Sequence, residues 1–378
     1  MRILFLDQFS EAGGAQRCLM DLMPEIQGRG WEPHLMAPGN GVLLEWSRQI
    51  GIPTYSLPMS EYSNGDKTVR DLLRFSLDVP RVKAAIQQVI RRHDIELIYV
   101  NGPRVLPAVV GVHRPVVFHS HTRVTGAHSQ RLLRWALRHT DATLISASAF
   151  VAQSYRKVAN NDRAHVIYNG AADHWQGARD FSRRPARVGL IGRIAPEKGH
   201  LDFLRAAAEL TKDRVPPAQF FVYGDRLFSD AGYDRTVRAL AEHASVQLCG
   251  WSHNVPEVLR QLDILAVPSG SAEASPRVIL EAFSAGTPVV AYRSGGIPEM
   301  IDDGRTGVLT AASRFESLAA SIRSLLSDPD RMERLSIGGR QEWQRRFAVQ
   351  MFRKKICEVL EKYVAARPRT IAEVASSR

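Results

Sequence analysis

Pro268-Ser-Gly-Ser-Ala-Glu-Ala-Ser-Pro-Arg-Val-Ile-Leu-Glu-Ala-Phe-Ser-Ala-Gly-Thr-Pro-Val-Val290 reads as loop, helix, turn and strand, in that order. An apolar run, Ile264–Val267, leads into it, and a second, Val289–Tyr292, leaves it. Pro276 suits the first turn of a helix over Arg277–Ser284, because its missing N–H costs nothing there. Glu273 falls in the loop and Glu281 eight positions later, about a turn and a half into the helix. An acid in an otherwise apolar helix is costly unless something hydrogen-bonds it. A ligand would satisfy Glu281, and so would the neighbouring backbone. The first N–H groups of the helix, on Arg277 and Val278, are open to an anion.

The same alternation runs through the chain. Strands are expected at Arg2–Leu6, His34–Ala37, Leu97–Val100, Val116–His119, Thr143–Ser146 and Val166–Tyr168, then at Val188–Ile191, Gln219–Tyr223 and Val246–Leu248. Helical patterns such as Gln16–Met23, Val82–Arg92 and Leu201–Thr211 separate them. Near-continuous apolar strands alternating with helices predict parallel sheets covered on both faces. The pattern lapses between Ala171 and Arg187, leaving two halves each large enough for a doubly wound domain. The expected division is a Rossmann-like domain over 1–172, a linker over 173–187 and a second Rossmann-like domain over 188–345. Phe352, Ile356, Val359, Leu360 and Tyr363 form one apolar stripe at helical spacing. A helix over 346–365 is expected to pack back on the first domain, before a frayed tail over 366–378.

Composition narrows the class. With 378 residues, 44% hydrophobic and 24% charged, the chain is globular and suits two domains. No apolar run approaches the ~18 residues of a membrane span. The amino terminus meets Asp7 after four apolar residues, too soon for a signal-peptide core. Cys18, Cys249 and Cys357 are scattered, without disulfide or zinc spacing. A reduced, cytoplasmic protein is expected.

The net charge of +11 raises nucleic acid or an anionic membrane as partners. No nucleic-acid-binding motif accompanies it. Between Glu96 and Asp141 there are six arginines and five histidines and no acid. A solvated face and a functional anionic-membrane surface both fit. Within that span Arg131, Arg134 and Arg138 share one side of a helix with Trp135 beside them.

Three further loops carry chemistry. Ser10-Glu-Ala-Gly-Gly-Ala-Gln16 joins the first strand to the first helix, where Gly13 and Gly14 permit close backbone approach to an anion or a tight turn. Val188-Gly-Leu-Ile-Gly-Arg-Ile-Ala-Pro-Glu-Lys-Gly199 puts Arg193 and Lys198 after a strand and before a helix, which suits a diphosphate or a solvated loop. In Val116-Val-Phe-His-Ser-His121, His119 and His121 share a face if the strand continues, so period alone does not choose between them. Asp328-Pro-Asp330 reads as a helix start.

Together these residues resemble the family 4 glycosyltransferases of the GT-B fold. The resemblance rests on Glu273-x7-Glu281 with Ala282-Phe-Ser-Ala-Gly-Thr-Pro-Val-Val290, on Gly192-Arg193 with Pro196-Glu-Lys-Gly199, on Val166-Ile-Tyr-Asn-Gly170, on Gly295-Gly-Ile-Pro-Glu299 and on Asp303-Gly-Arg-Thr-Gly307. It spans almost the whole chain in order. It implies two Rossmann-like domains facing across a cleft and transfer of a sugar from a UDP- or GDP-sugar with retained configuration. The acceptor would be a hydroxyl of a glycan or lipid-linked molecule, in cell-surface polysaccharide or glycolipid synthesis.

The resemblance also implies roles. Gly13 and Gly14 would meet the donor diphosphate through N–H groups, and Arg193 and Lys198 would neutralise it as it leaves. Glu281 would hold the ribose hydroxyls, Glu273 would face the sugar, and Trp251 lies in the segment Cys249–His253 that holds the base. Ser275, Arg277 and Val278 complete the donor side. Ala274-Ser-Pro276 stands where the family usually has Gly-Phe-Gly, which leaves the hydrogen bonds near the sugar in question. The family histidine near the sugar's C6 hydroxyl would be His121, with His119 the alternative. No metal and no permanently bound cofactor are implied. A non-catalytic nucleotide-sugar-binding relative and a GT-B-like epimerase remain as rivals.

Overall fold

The computed structural model describes all residues except 12, 61–68, 157–160, 183–184, 214–216, 227–230, 272 and 366–378. The tail expected to fray lies outside the described residues. The first half runs β1 (Arg2–Asp7), α1 (Gly14–Gly28), β2 (Glu32–Ala37), α2 (Val42–Gln49), β3 (Thr54–Ser56), α3 (Val69–His93), β4 (Leu97–Asn101), β5 (Val116–Ser120), α4 (Ala127–Thr140), β6 (Thr143–Ser146), α5 (Ala149–Ala152) and β7 (Ala164–Val166). The second runs β8 (Ala186–Ile191), α6 (His200–Asp213), β9 (Ala218–Tyr223), α7 (Ala231–His243), β10 (Val246–Leu248), α8 (Val255–Gln261), β11 (Ile264–Val267), α9 (Arg277–Ala285), β12 (Val289–Tyr292), β13 (Val308–Thr310), α10 (Phe315–Leu326), α11 (Pro329–Glu342) and α12 (Val349–Ala365).

These strands form two parallel sheets, ordered β3-β2-β1-β4-β5-β6-β7 and β10-β9-β8-β11-β12-β13. Successive side chains on a strand point to opposite faces, so each apolar strand feeds two cores. Leu4 and Leu6 join Ile86 and Val100 on one face of the first sheet. Ile3 and Phe5 join Leu19, Leu22 and Ile26 on the other. The second sheet repeats this: Ile264 and Ala266 pack with Phe203 and Leu204, while Leu265 and Val267 pack with Leu280 and Phe283.

The carboxyl-terminal helix crosses back as its stripe predicts. Phe352, Ile356, Val359 and Leu360 of α12 enter the first-domain core beside Ile3 and Phe5. At the crossing, the N–H of Val349 donates to the carbonyl of Ala171, and the N–H of Ala171 to the carbonyl of Phe347, both at 2.9 Å. Gly170 lies so close that a Cβ there would stand 2.7 Å from Cα of Val349.

Two strands were not anticipated, β3 and β13; each has three residues and sits at a sheet edge, where no periodic pattern develops. The strand expected at Val166–Tyr168 lies earlier, at Ala164–Val166, because its pairing partners are Leu144–Ser146. Tyr168 is thereby released to donate its hydroxyl to Glu299 at 3.0 Å.

Candidate active site

Each sheet reverses its strand order once, between β1 and β4 and between β8 and β11. At such points the loops leaving neighbouring strands part to opposite faces and open a crevice. Three of the four loops, after β1, β8 and β11, with the helix starts that follow them, carry Gly13, Gly14, Arg193, Lys198, Glu273, Ser275 and Arg277, while His121 follows β5 and Trp251 follows β10.

In the second domain the loop after β8 holds Arg193 and Lys198. Both are ion-paired: Arg193 with Glu197, and Lys198 with Glu273 at 2.5 Å between Nζ and Oε2. The N–H of Gly270 donates to the carbonyl of Glu197 at 2.8 Å, locking this loop to the one after β11. Behind Glu273, the N–H of Gly296 donates to its carbonyl at 3.0 Å. Gly295 next to it has φ +54°, and a Cβ there would fall 2.0 Å from that carbonyl oxygen, so only glycine fits.

Helix α9 begins at Arg277 with Pro276 as its N-cap, one residue outside the helix instead of within its first turn. Pro276 is extended (φ −67°, ψ 109°), and its carbonyl accepts from the N–H of Ile279 at 3.1 Å. Among the described residues Glu281 finds its partner in a side chain: Nε of Arg277 lies 3.5 Å from its Oε1. Val278 packs partly against the core beneath, Ser275 donates its hydroxyl to Sδ of Met300 at 3.9 Å, and Trp251 is 38% exposed after β10.

In the first domain, Gly13 is the N-cap of α1 and Gly14 its first residue. Asp7 ends β1 directly opposite Asn101, the last residue of β4. Asp7 is fully buried and accepts from Nδ2 of Asn101 (2.6 Å), from Nε2 of Gln16 (2.7 Å) and from the N–H of Phe9 (2.8 Å). Burial pushes its carboxyl up to about 6, against the pull of these hydrogen bonds. His121 follows the end of β5, and its Nε2 lies 2.7 Å from Oδ1 of Asn101. Burial, reinforced by the charge of Arg277, pushes His121 down to about 3.

The two histidines differ in place. His119 is 1% exposed within β5, its Nδ1 2.7 Å from the hydroxyl of Tyr99 and its ring near Phe352. His121 lies over it, with ring centroids 3.9 Å apart, one step beyond the strand. His119 thus sits in the first-domain core and His121 at the sheet end beside Asn101.

Side-chain contacts near these loops also join the halves. Nη1 of Arg277 lies 2.7 Å from Oδ2 of Asp21 on α1, and a Cβ at Gly14 would stand 3.9 Å from Cδ of Arg277. Glu299 accepts from the N–H groups of Ala149 (2.7 Å) and Phe150 (2.6 Å) at the start of α5. Gly14 at the start of α1 therefore faces Arg277 of α9, whereas Gly13 lies against Gln16 of its own helix. Asp7, Asn101 and Asp21 were absent from the sequence reading. An acid closing an apolar strand before a glycine loop was the available signal for Asp7; Asn101 and Asp21 carried none.

Residues 173–342 match the family profile described as glycosyl transferases group 1, and residues 12–173 match that of glycosyltransferase family 4. The chain belongs to the family 4 glycosyltransferases. As such it is an enzyme of glycosyl transfer with the GT-B fold. A GDP-mannose-dependent alpha-(1-6)-phosphatidylinositol monomannoside mannosyltransferase of Mycolicibacterium smegmatis is 27% identical to this glycosyltransferase over 319 residues, covering 74% of this chain and 81% of that protein. The alpha-D-kanosaminyltransferase of Streptomyces kanamyceticus is 28% identical over 250 residues, 61% of this chain and 64% of that one. Among solved structures, HepE of Anabaena in complex with UDP superposes with a TM-score of 0.80 at 24% identity, covering 96% of this glycosyltransferase and all of HepE.

Proposed function

We propose that this glycosyltransferase moves a sugar from a UDP- or GDP-sugar to a hydroxyl of a glycan or lipid-linked acceptor, with retention at the anomeric carbon. The observation that carries the reading is the meeting of the two crevices: Arg277, from the helix start behind Glu273, reaches α1 behind Gly13 and Gly14. The relatives add support for a nucleotide-sugar donor, one being named GDP-mannose-dependent and HepE having been solved with UDP-glucose.

The chemistry needs stabilisation of negative charge growing on the leaving diphosphate while the sugar becomes cationic. The starts of α1 and α9 offer N–H groups and positive dipole ends to that charge. Lys198 and Arg193 add full charges, for which the diphosphate competes with Glu273 and Glu197. Fixed positive groups aimed at developing charge are commonly the largest catalytic contribution. Glu281 would take the ribose hydroxyls, and Trp251 would lie by the base. Attack on the same face, with the acceptor hydroxyl passing its proton to the departing phosphate, requires no protein nucleophile and no metal.

For the acceptor, the exposed side of α4 suggests a membrane. Arg131, Arg138 and Trp135 are exposed there, Trp135 at 46%. We take this surface to dock on anionic lipid.

A thermal-shift screen of nucleoside diphosphate sugars, followed by product analysis with EDTA present, tests the reading. Acceptor-dependent release of nucleoside diphosphate is expected. Binding without acceptor-dependent release would favour a non-catalytic relative, and an altered sugar still on its nucleotide would favour an epimerase.

A further inference from the structure

Asp7, Asn101 and His121 form a hydrogen-bonded line whose direction is fixed at one end. The N–H of Phe9 can only donate, so Oδ1 of Asp7 must accept. Asn101 approaches Oδ2 of Asp7 at 2.6 Å and the carbonyl of Ala15 at 3.3 Å with the same side-chain atom. Both partners are acceptors, so that atom is the amide nitrogen. The carbonyl oxygen Oδ1 of Asn101 then faces His121, and Nε2 of His121 must carry a proton to donate across 2.7 Å. Nδ1 of His121 is left deprotonated, buried and without a hydrogen-bond partner among the described residues.

We propose that Asp7 and Asn101 are positioning residues that hold His121 as its Nε2–H tautomer, so that Nδ1 offers a bare lone pair to a hydroxyl of the donor sugar. This rests on the reading above in which His121 faces the sugar. The relay has a chemical consequence. A hydroxyl can donate to Nδ1, whereas a carboxylate or ether oxygen at the same place would set lone pair against lone pair. The site thereby selects a sugar with a free hydroxyl there over its oxidised or capped counterpart.

The relay makes an unusual demand on one variant. In Asp7→Asn the oxygen must stay opposite the N–H of Phe9, so the new amide nitrogen faces Asn101. Two donors then meet at 2.6 Å, a closer clash than the one Asn101 makes by turning its oxygen toward the carbonyl of Ala15 at 3.3 Å, so Asn101 turns over and presents its own nitrogen to Nε2 of His121. The tautomer reverses and Nδ1 becomes a donor. In Asn101→Ala the partner is lost and the tautomers mix.

The test is nitrogen NMR of the full chain labelled at histidine, with the His121 signals assigned by their loss in His121→Gln. The wild type should show a protonated Nε2 and a bare Nδ1. Asp7→Asn should exchange the two, and Asn101→Ala should show a mixture; if Asp7→Asn does not fold, Asn101→Ala decides. An Nδ1–H tautomer in the wild type, or one unchanged in the folded variants, overturns the relay whatever the enzyme transfers. Asp7→Asn should also lower kcat/KM for the nucleotide sugar about ten- to a hundredfold, the cost of one mismatched buried hydrogen bond. Its affinity for UDP or GDP alone should hold. Equal loss of both would make Asp7 a structural support and overturn the role assigned to Nδ1. Failure of every nucleotide sugar to bind, with the tautomers as expected, would refute the donor reading and its sugar contact while keeping the relay.

Discussion

Nη1 of Arg277, in the first turn of α9, lies 2.7 Å from Oδ2 of Asp21 in the second turn of α1. The pair spans the two domains, and both side chains are largely buried. Arg277 also approaches Glu281 at 3.5 Å, so one guanidinium ties a carboxylate of its own helix to α1 of the first domain. Removing Asp21 leaves the largely buried Arg277 with Glu281 on its own helix and without its carboxylate partner on α1.

Asp21→Ala should therefore loosen domain closure and raise KM for the donor about tenfold, equivalent to ~1.4 kcal/mol. Small-angle scattering should show a larger radius of gyration than the wild type. An unchanged radius together with an unchanged KM would show that the pair is incidental to closure.

Lys198→Ala and Arg193→Ala should each lower kcat on the order of 10²-fold without loss of fold, as expected for groups that stabilise a leaving diphosphate. Steady-state kinetics with far-UV circular dichroism measures both. Near-wild-type turnover in the two variants would remove the diphosphate from this loop.

Glu281→Gln should weaken nucleoside diphosphate binding more than Glu273→Gln does, because Glu281 is proposed to hold the ribose and Glu273 the sugar. Calorimetric titration with UDP and GDP distinguishes them. If Glu281→Gln unfolds the chain but its folded fraction binds normally, Glu281 serves only to pair Arg277.

The pH dependence of stability follows from two buried groups of opposite sign. Between pH ~4 and 6 the folded chain keeps a proton on Asp7, raised to about 6, that the unfolded chain releases. Over the same interval it refuses His121, lowered to about 3, a proton that the unfolded chain binds. The first contribution grows as pH falls and the second shrinks, so they offset one another. Asp7→Asn should make acid destabilisation steeper by on the order of 3 kcal/mol between pH 6 and 4. His121→Gln should do the reverse. Urea titrations across this range that ran parallel for all three proteins would contradict both shifts.

Binding to liposomes should rise with anionic lipid, fall with salt, and drop when Arg131, Arg134 and Arg138 are changed together to Glu at unchanged Tm. Each basic residue near an anionic surface contributes about 1 kcal/mol, which gives a weak and reversible attachment. Equal partitioning to neutral and anionic vesicles would dismiss the surface on α4.

The sequence alone determined the layered α/β architecture, because apolar runs such as Ile264–Val267 and Val289–Tyr292 must be buried on both faces wherever they lie. It also placed Lys198, Glu273, Arg277 and Glu281 on loops after strands and at helix starts, since each lies within a few residues of the element that carries it. Tertiary structure decided what those residues touch. Asp7 and Asn101 meet because β4 takes the place beside β1, a choice of strand order that no local period encodes. His119 and His121 share a strand face, so the ending of β5 at Ser120, together with Asn101 at the end of the neighbouring β4, separates the core ring from the one at the crevice. Asp21 and Arg277 are 256 positions apart and on different domains. Only the packing of one domain against the other turns two ordinary surface charges into a bridge across the cleft.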